Sequence, residues 1–160
     1  MTVRLGPRVR VVLLRLAALY WAGQMFWLSS DSFRSSNSRE IIAKLTRMLG
    51  LDLSSETLLM LNTIARKSAH VTEYSIFSIL LYFSFLGGDR PAWDQRAARL
   101  SLLAACAFAL LDEFRQGFSL YRGSSPFDFA LDCLGAVIGI SMIFAGFRAY
   151  REAVLARRAG

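Results

Sequence analysis

The sequence predicts an all-α membrane protein: a four-helix transmembrane bundle with an amphipathic external helical segment between the first and second spans. Three observations predict it. Four uncharged apolar runs, residues 16–30, 74–88, 100–111 and 133–147, are spaced along the chain, and each reaches the roughly 20 residues that cross a bilayer only by taking in polar residues at its ends. Stretches such as "SILLYFSFLGG" and "CLGAVIGISMIFAGF" are apolar on every side, whereas helices around a soluble core keep a polar face. At 160 residues, 54% hydrophobic and with mean hydropathy +0.39, the chain is more apolar than a small soluble fold. A single domain is expected, with spans at about 9–29, 68–88, 98–117 and 127–147 and an external segment at about 30–67.

The first span follows Arg4, Arg8 and Arg10. A basic start fits a signal peptide, but Arg15 interrupts the apolar stretch and "MFWLSSDSF" puts bulky residues where cleavage needs small ones. A retained anchor is expected. In the external segment Ile41, Ile42, Leu45, Met48 and Leu49 follow helical spacing, with Arg39, Glu40, Lys44 and Arg47 opposite and Gly50 ending the pattern. Such a helix either lies in the outer membrane interface or packs on the protein's own external face. A second external helix starts near Ser54 or Ser55, either of which can cap it, and runs toward Lys67. Gly87, Gly88 and Pro91 mark the loop before the third span, and Gly123 and Pro126 the turn before the fourth. Cys106 and Cys133 both fall inside spans and read as small apolar packing residues. Trp27, Tyr82 and Trp93 suit bilayer interfaces, Trp21 suits packing, and the basic "FRAYREAVLARR" reads as a helix on anionic lipid or a solvated tail.

The formal net charge of +7 does not gather into one basic patch, so nucleic acid is not an expected partner. Instead, arginines flank the spans: those before the first, Arg90, Arg96 and Arg99 between the second and third, and Arg148, Arg151, Arg157 and Arg158 after the fourth. With four spans these positions share one side, which places both termini in the cytoplasm. Arg34, Arg39, Lys44, Arg47, Arg66 and Lys67 in the external segment run against this, interspersed with Asp31, Glu40, Asp52 and Glu56.

Alternating spans bring the start of the second, the end of the third and the start of the fourth to the same outer side. The polar residues fall there. In "RKSAHVTEY", Lys67, His70 and Tyr74 lie at i, i+3 and i+7 with Glu73 beside them; in "DEFRQGF", Asp112 and Gln116 share a face next to Glu113. In "DFALDCLGAVIG", Asp128, Asp132, Gly135 and Gly139 form one stripe, acids outermost and glycines deeper, where a neighbouring helix can approach closely. Ionisable groups at membrane depth cost several kcal/mol each unless paired or hydrated, so a shared polar pocket is expected. His70, with Glu73, Asp112 or Asp132 to orient it, suits proton transfer; equally it completes a buried hydrogen-bond network. His70 and Glu73 have helical metal-ligand spacing, but with one histidine in the chain no metal is assigned, and no motif calls for a cofactor. Lys67, Arg115 and Arg122 either grip a lipid phosphate or a carboxylate, or pair internally with Asp112, Glu113 and Asp128.

At these residues the chain resembles the VanZ-like family of bacterial membrane proteins. Lys67, His70 and Tyr74 form K-x-x-H-x-x-x-Y; Asp112, Glu113, Gln116, Phe118, Arg122, Ser125 and Asp128 form D-E-x-x-Q-x-F-x-x-x-R-x-x-S-x-x-D; Gly135 and Gly139 follow, and "WLSSDSF" is similar to the family's pattern after the first span. Asp132 departs from it, standing where the family commonly has asparagine. The resemblance implies a multi-pass protein of the bacterial plasma (inner) membrane, linked to low-level resistance to the glycopeptide teicoplanin, without implying a settled activity. The expected function is therefore an outward-facing polar pocket that binds or modifies an outer-leaflet envelope component, a membrane lipid or a lipid-linked precursor. The alternatives are a membrane-embedded acid-base enzyme acting on a lipid-linked headgroup and a purely structural clasp within the bundle or between protomers. Catalytic candidates are His70, Glu73, Asp112 and Glu113. Substrate-binding candidates are Lys67, Tyr74, Gln116, Arg122, Ser125, Asp128 and Asp132.

Overall fold

The computed structural model describes residues 6–29, 35–87, 93–118 and 125–159. Five helices account for nearly all of them, with no strand among the described residues: α1 (Pro7–Leu28), α2 (Ser35–Met48), α3 (Ser55–Leu86), α4 (Gln95–Gln116) and α5 (Pro126–Ala159). Their ends follow local chemistry. Proline opens α1 and α5, where its missing N–H is not needed. Ser54 accepts from the Thr57 N–H at 3.2 Å and Asp94 from the Ala97 N–H at 2.8 Å, capping α3 and α4. Gly50 and Gly87, at φ +75° and +58°, stop α2 and α3 in the left-handed conformation that glycine adopts without strain.

The expected break near residue 68 is absent. From Ser55 to Leu86 no glycine or proline interrupts the chain, so the second external helix and the second span form one rod of 32 residues, about 48 Å long. Likewise the basic C-terminal segment continues α5 rather than forming a separate helix. Three helices, α1, α3 and α5, are long and apolar enough to cross a membrane. The 22-residue α4 has the length, but carries Arg96 and Arg99 near its start and Asp112, Glu113 and Arg115 near its end.

Helix α3 is the axis of the molecule and packs against each of the other four. It runs parallel to α5, as Lys67 meets Asp128, His70 meets Asp132 and Tyr82 meets Phe147. Close approach is made by Gly135 and Gly139: a Cβ on Gly135 would lie 2.5 Å from the Val71 carbonyl oxygen, and one on Gly139 would collide with Ser75 and Ser78. The Ser75 hydroxyl reaches the Val71 carbonyl at 2.7 Å and the Gly135 carbonyl at 2.8 Å, joining the two backbones.

The core is built of small residues. On α4, Ala97, Ser101, Ala105 and Ala109 are buried at a spacing of four, while Leu103, Leu110, Leu111 and Phe114 face outward. On α1, Leu16, Leu19 and Tyr20 are likewise exposed. Small residues inside and large apolar ones outside is the packing of membrane helices, where lipid covers the outer surface. The first core cluster joins Met25, Tyr74, Phe77, Ala105, Ala109 and Ala136. A second, at the far end of α3, surrounds Tyr82, whose ring stacks on Trp93 at 5.6 Å and whose hydroxyl accepts the Asp94 N–H at 3.0 Å.

Candidate functional site

The end of α1, the Arg66 to Tyr74 stretch of α3, the end of α4 and the start of α5 meet at one end of the bundle. The antiparallel course of successive long helices brings together what the sequence holds far apart. Asp112, 4% exposed, is the best-served acid. One of its oxygens accepts from the Ser29 hydroxyl at 2.6 Å and from Gln116 Nε2 at 2.8 Å, the other from Arg115 Nη2 at 2.9 Å. Gln116 Nε2 also donates to the Ser29 hydroxyl at 2.8 Å, and the Arg115 guanidinium lies 4.2 Å over the Phe26 ring. This network ties α4 to α1 and uses Arg115 internally.

Around the α3–α5 contact, His70 Nδ1 faces Asp132 Oδ1 at 3.2 Å, within ion-pair range but without the alignment of a hydrogen bond. Asp132, at 1% exposure, is more deeply buried than the histidine. Of the three acids named as partners for His70, it is the one this contact selects. Nearer the rim, Lys67 Nζ donates to Asp128 Oδ1 at 2.7 Å and lies 4.4 Å from the centre of the Phe127 ring. Glu113 Oε2 accepts the Ser125 N–H at 2.7 Å, so a side chain of α4 holds the residue that precedes α5. Trp21 donates to the Glu73 carbonyl at 3.1 Å, fixing α1 against the same turn of α3.

Between α1, α2, α3 and α4 these residues leave a cavity of about 130 Å³, lined by Ser29, Ser38, Arg66, His70, Glu73, Tyr74 and Asp112 with Met25, Leu28 and Ala69. Tyr74 is 1% exposed, and its hydroxyl meets no hydrogen-bond partner among the described residues. It lies in the field of four carboxylates, Asp132, Asp112, Glu73 and Glu113. Asp132 Oδ2 is also without a hydrogen-bond partner. A buried polar atom left so costs about 1–3 kcal/mol. No three His, Cys, Asp or Glu side chains converge on a common metal position among the described residues.

The structure thus gathers Lys67, His70, Glu73, Tyr74, Asp112, Glu113, Gln116, Ser125, Asp128 and Asp132 at one level. Arg122 lies outside the described residues. Sequence reading missed Ser29, Ser38 and Arg66 as cavity residues and gave Trp21 only a packing role. Arg66 had a visible signal, because it precedes His70 by four and Tyr74 by eight and so shares their face. Ser29 had one too, standing inside "WLSSDSF", whereas Ser38 had none, since its role depends on how α2 folds back. There Ser38 donates to Asn62 Oδ1 at 2.7 Å.

A model of the VanZ/LLP1 family matches residues 14–148, most of the chain. No curated protein matches, nor does any solved structure.

Proposed function

The chain belongs to the VanZ/LLP1 family, and from that premise we propose that it binds an outer-leaflet envelope component, a membrane lipid or a lipid-linked precursor, in the cavity beside Tyr74. The observation that carries this reading is the cavity itself. It combines a partnerless buried hydroxyl with His70, Glu73 and Asp112 in the wall of an otherwise apolar bundle. In this reading the protein sits in the bacterial inner membrane with four spans and both termini cytoplasmic. Helix α4 is the remaining span, supported by its outward Leu103, Leu110, Leu111 and Phe114. Helix α2 rests in the outer interface, supported by exposed Ile41, Leu45 and Met48 beside its charged face and by Ser38 fixing it to α3. Low-level teicoplanin resistance follows as a consequence of altered surface composition or occupancy.

Binding is favoured over chemistry because Asp112 already accepts three hydrogen bonds and Glu113 is engaged by Ser125. The enzyme reading retains one specific support, the His70 to Asp132 contact, which can orient an imidazole as an acid-base group.

Native mass spectrometry of the gently purified protein tests the reading, with wild type beside Ala69→Trp. Ala69 lines the cavity and makes no polar contact there, so tryptophan fills the space without altering a charge. A lipid-mass adduct on the wild type that is absent from the variant is expected; an adduct retained by Ala69→Trp, or none on either, overturns it. His70→Gln separates the enzyme reading, which requires complete loss of cellular function with lipid retention intact.

A further inference from the structure

We propose that a groove between the end of α3 and the C-terminal half of α5 seats an acyl chain of an anionic phospholipid, whose phosphate lies among the arginines that follow on α5. This site is at the opposite end of α3 from the outer cavity and does not depend on the binding reading above. In the orientation proposed there it faces the cytoplasmic leaflet.

Gly135, Gly139 and Gly146 stand on one face of α5, at spacings of four and seven. The first two are covered by α3. At Gly146 the cover has run out, because α3 ends at Leu86, and a Cβ there would meet nothing within 4 Å. What remains is a groove of about 370 Å³, lined by Phe83 of α3 and by Ile143, Gly146, Phe147 and Tyr150 of α5. Its lining carries no charge, and Ile143 and Phe147 belong to the cluster around Tyr82, so the back of the groove is fixed by the core. On the lipid-facing side of a membrane bundle, such a surface is covered by hydrocarbon.

The charges beyond the groove decide which lipid fits. After Phe147 the chain has four arginines, Arg148, Arg151, Arg157 and Arg158, against one acid, Glu152. That acid is taken by Arg148 at 3.0 Å. Arg151, Arg157 and Arg158 are exposed and make no ion pair among the described residues. Arg151 stands one turn beyond Phe147, and Arg157 two turns beyond Tyr150 on the same line. Helix α5 is one rod of 34 residues, about 51 Å long against a hydrocarbon core of about 30 Å, so its last turns reach the headgroups and pass them. Arg151 lies about 6 Å and Arg157 about 15 Å past Phe147 along the axis. A phosphodiester with no cation of its own, as in phosphatidylglycerol, complements these guanidiniums; the ammonium of a zwitterionic lipid opposes them. A second copy fits worse, since two chains in one membrane point the same way and would bring their unpaired arginines together.

The test is titration of the full-length protein in detergent with short-chain phosphatidylglycerol and phosphatidylcholine, read by native mass spectrometry. Phe83 and Tyr150 leave the groove open at its side, so its lipid exchanges with detergent and is read by adding lipid rather than by what survives purification. Phosphatidylglycerol is expected to bind at least about tenfold more tightly than phosphatidylcholine. Gly146→Leu fills the groove where there is room for a side chain; it is expected to weaken phosphatidylglycerol about tenfold and leave the melt unchanged. The same loss is expected in the Ala69→Trp background, which separates this site from the outer cavity. The triple variant Arg151→Gln, Arg157→Gln, Arg158→Gln, confined to exposed positions, is expected to bring phosphatidylglycerol down to the phosphatidylcholine level. Equal binding of the two lipids by the wild type, unchanged affinity in Gly146→Leu, or a dimer that Gly146→Leu dissolves overturns the inference. A loss seen with Ala69→Trp and not with Gly146→Leu overturns this inference alone and leaves the outer cavity as the lipid site.

Discussion

Tyr74 and Tyr82 lie eight residues apart on α3, both almost completely buried, and their hydroxyls are treated in opposite ways. Tyr82 is enclosed by Trp93, Ile140, Ile143 and Phe147, and its hydroxyl receives the Asp94 N–H at the cap of α4. Its end of the bundle is packed with aromatic rings. Tyr74 packs against Phe77 and Phe108 below, but its hydroxyl lies in the field of carboxylates beside a cavity and meets no hydrogen-bond partner among the described residues. One end of the helix thus uses a tyrosine to finish the fold, and the other uses the same residue to leave it unfinished. An incomplete buried hydrogen bond lowers stability.

The largest expected effect tests whether the polar end is only a site or also a support. Asp112→Ala leaves Arg115, Ser29 and Gln116 without their shared acceptor, and unfolding in detergent is expected to lose about 3 kcal/mol or more. A small loss would mean that the network is dispensable and would weaken the contrast with the Tyr82 end. Next is the joint between the two ends. Gly139→Ala forces a methyl against Ser75 and Ser78 and is expected to cost about 1–3 kcal/mol, measured by the same melt. Should both ends loosen together, seen as lost native lipid retention as well as lower stability, they are one cooperative unit.

A sharper comparison comes from the matched pair Tyr82→Phe and Tyr74→Phe. The first removes a made hydrogen bond and is expected to cost about 1 kcal/mol; the second removes an orphaned hydroxyl and is expected to be neutral or stabilising. Equal losses would show that Tyr74 has a partner the contrast denies it. Smallest is the exposed pair of Glu40 and Lys44 on α2, 3.0 Å apart. Lys44 holds the Glu40 carboxyl below its ordinary range. A depressed folded-state value contributes stability above the unfolded pKa that fades as pH falls through the lowered one. For so exposed a pair, Glu40→Gln is expected to leave the melt unchanged at neutral pH.

The polar end was largely legible in the sequence because helical spacing survives into the fold. Lys67, His70 and Tyr74 share a face, Gln116 bonds Asp112 four residues before it, and Asp128 and Asp132, about one turn apart, meet Lys67 and His70, about one turn apart on α3. The stripe of Gly135 and Gly139 marked the α3 to α5 contact correctly. Other features could not be read that way. Within α4 almost every residue is apolar, so periodicity cannot tell buried Ala105 and Ala109 from outward Leu103 and Leu110; size decides, and only in lipid. The join at residue 68 was invisible because polar residues there suggested a boundary, whereas nothing in the backbone chemistry breaks the helix.

The unbroken length of α3 has a mechanical side. Its tightest approach to α5 is at Val71, Ser75 and Ser78, against bare glycine backbone, within a seam that runs from Lys67 to Tyr82. On one arm, about 20 Å from Ser75, Asn62 is latched to α2 through Ser38; on the other, about 10 Å away, Tyr82 is wedged among rings. A rigid rod pivoting there moves its α2 end about twice as far as its aromatic end. A displacement of α2 would reach the cavity wall along the same rod that the aromatic rings hold at its other end.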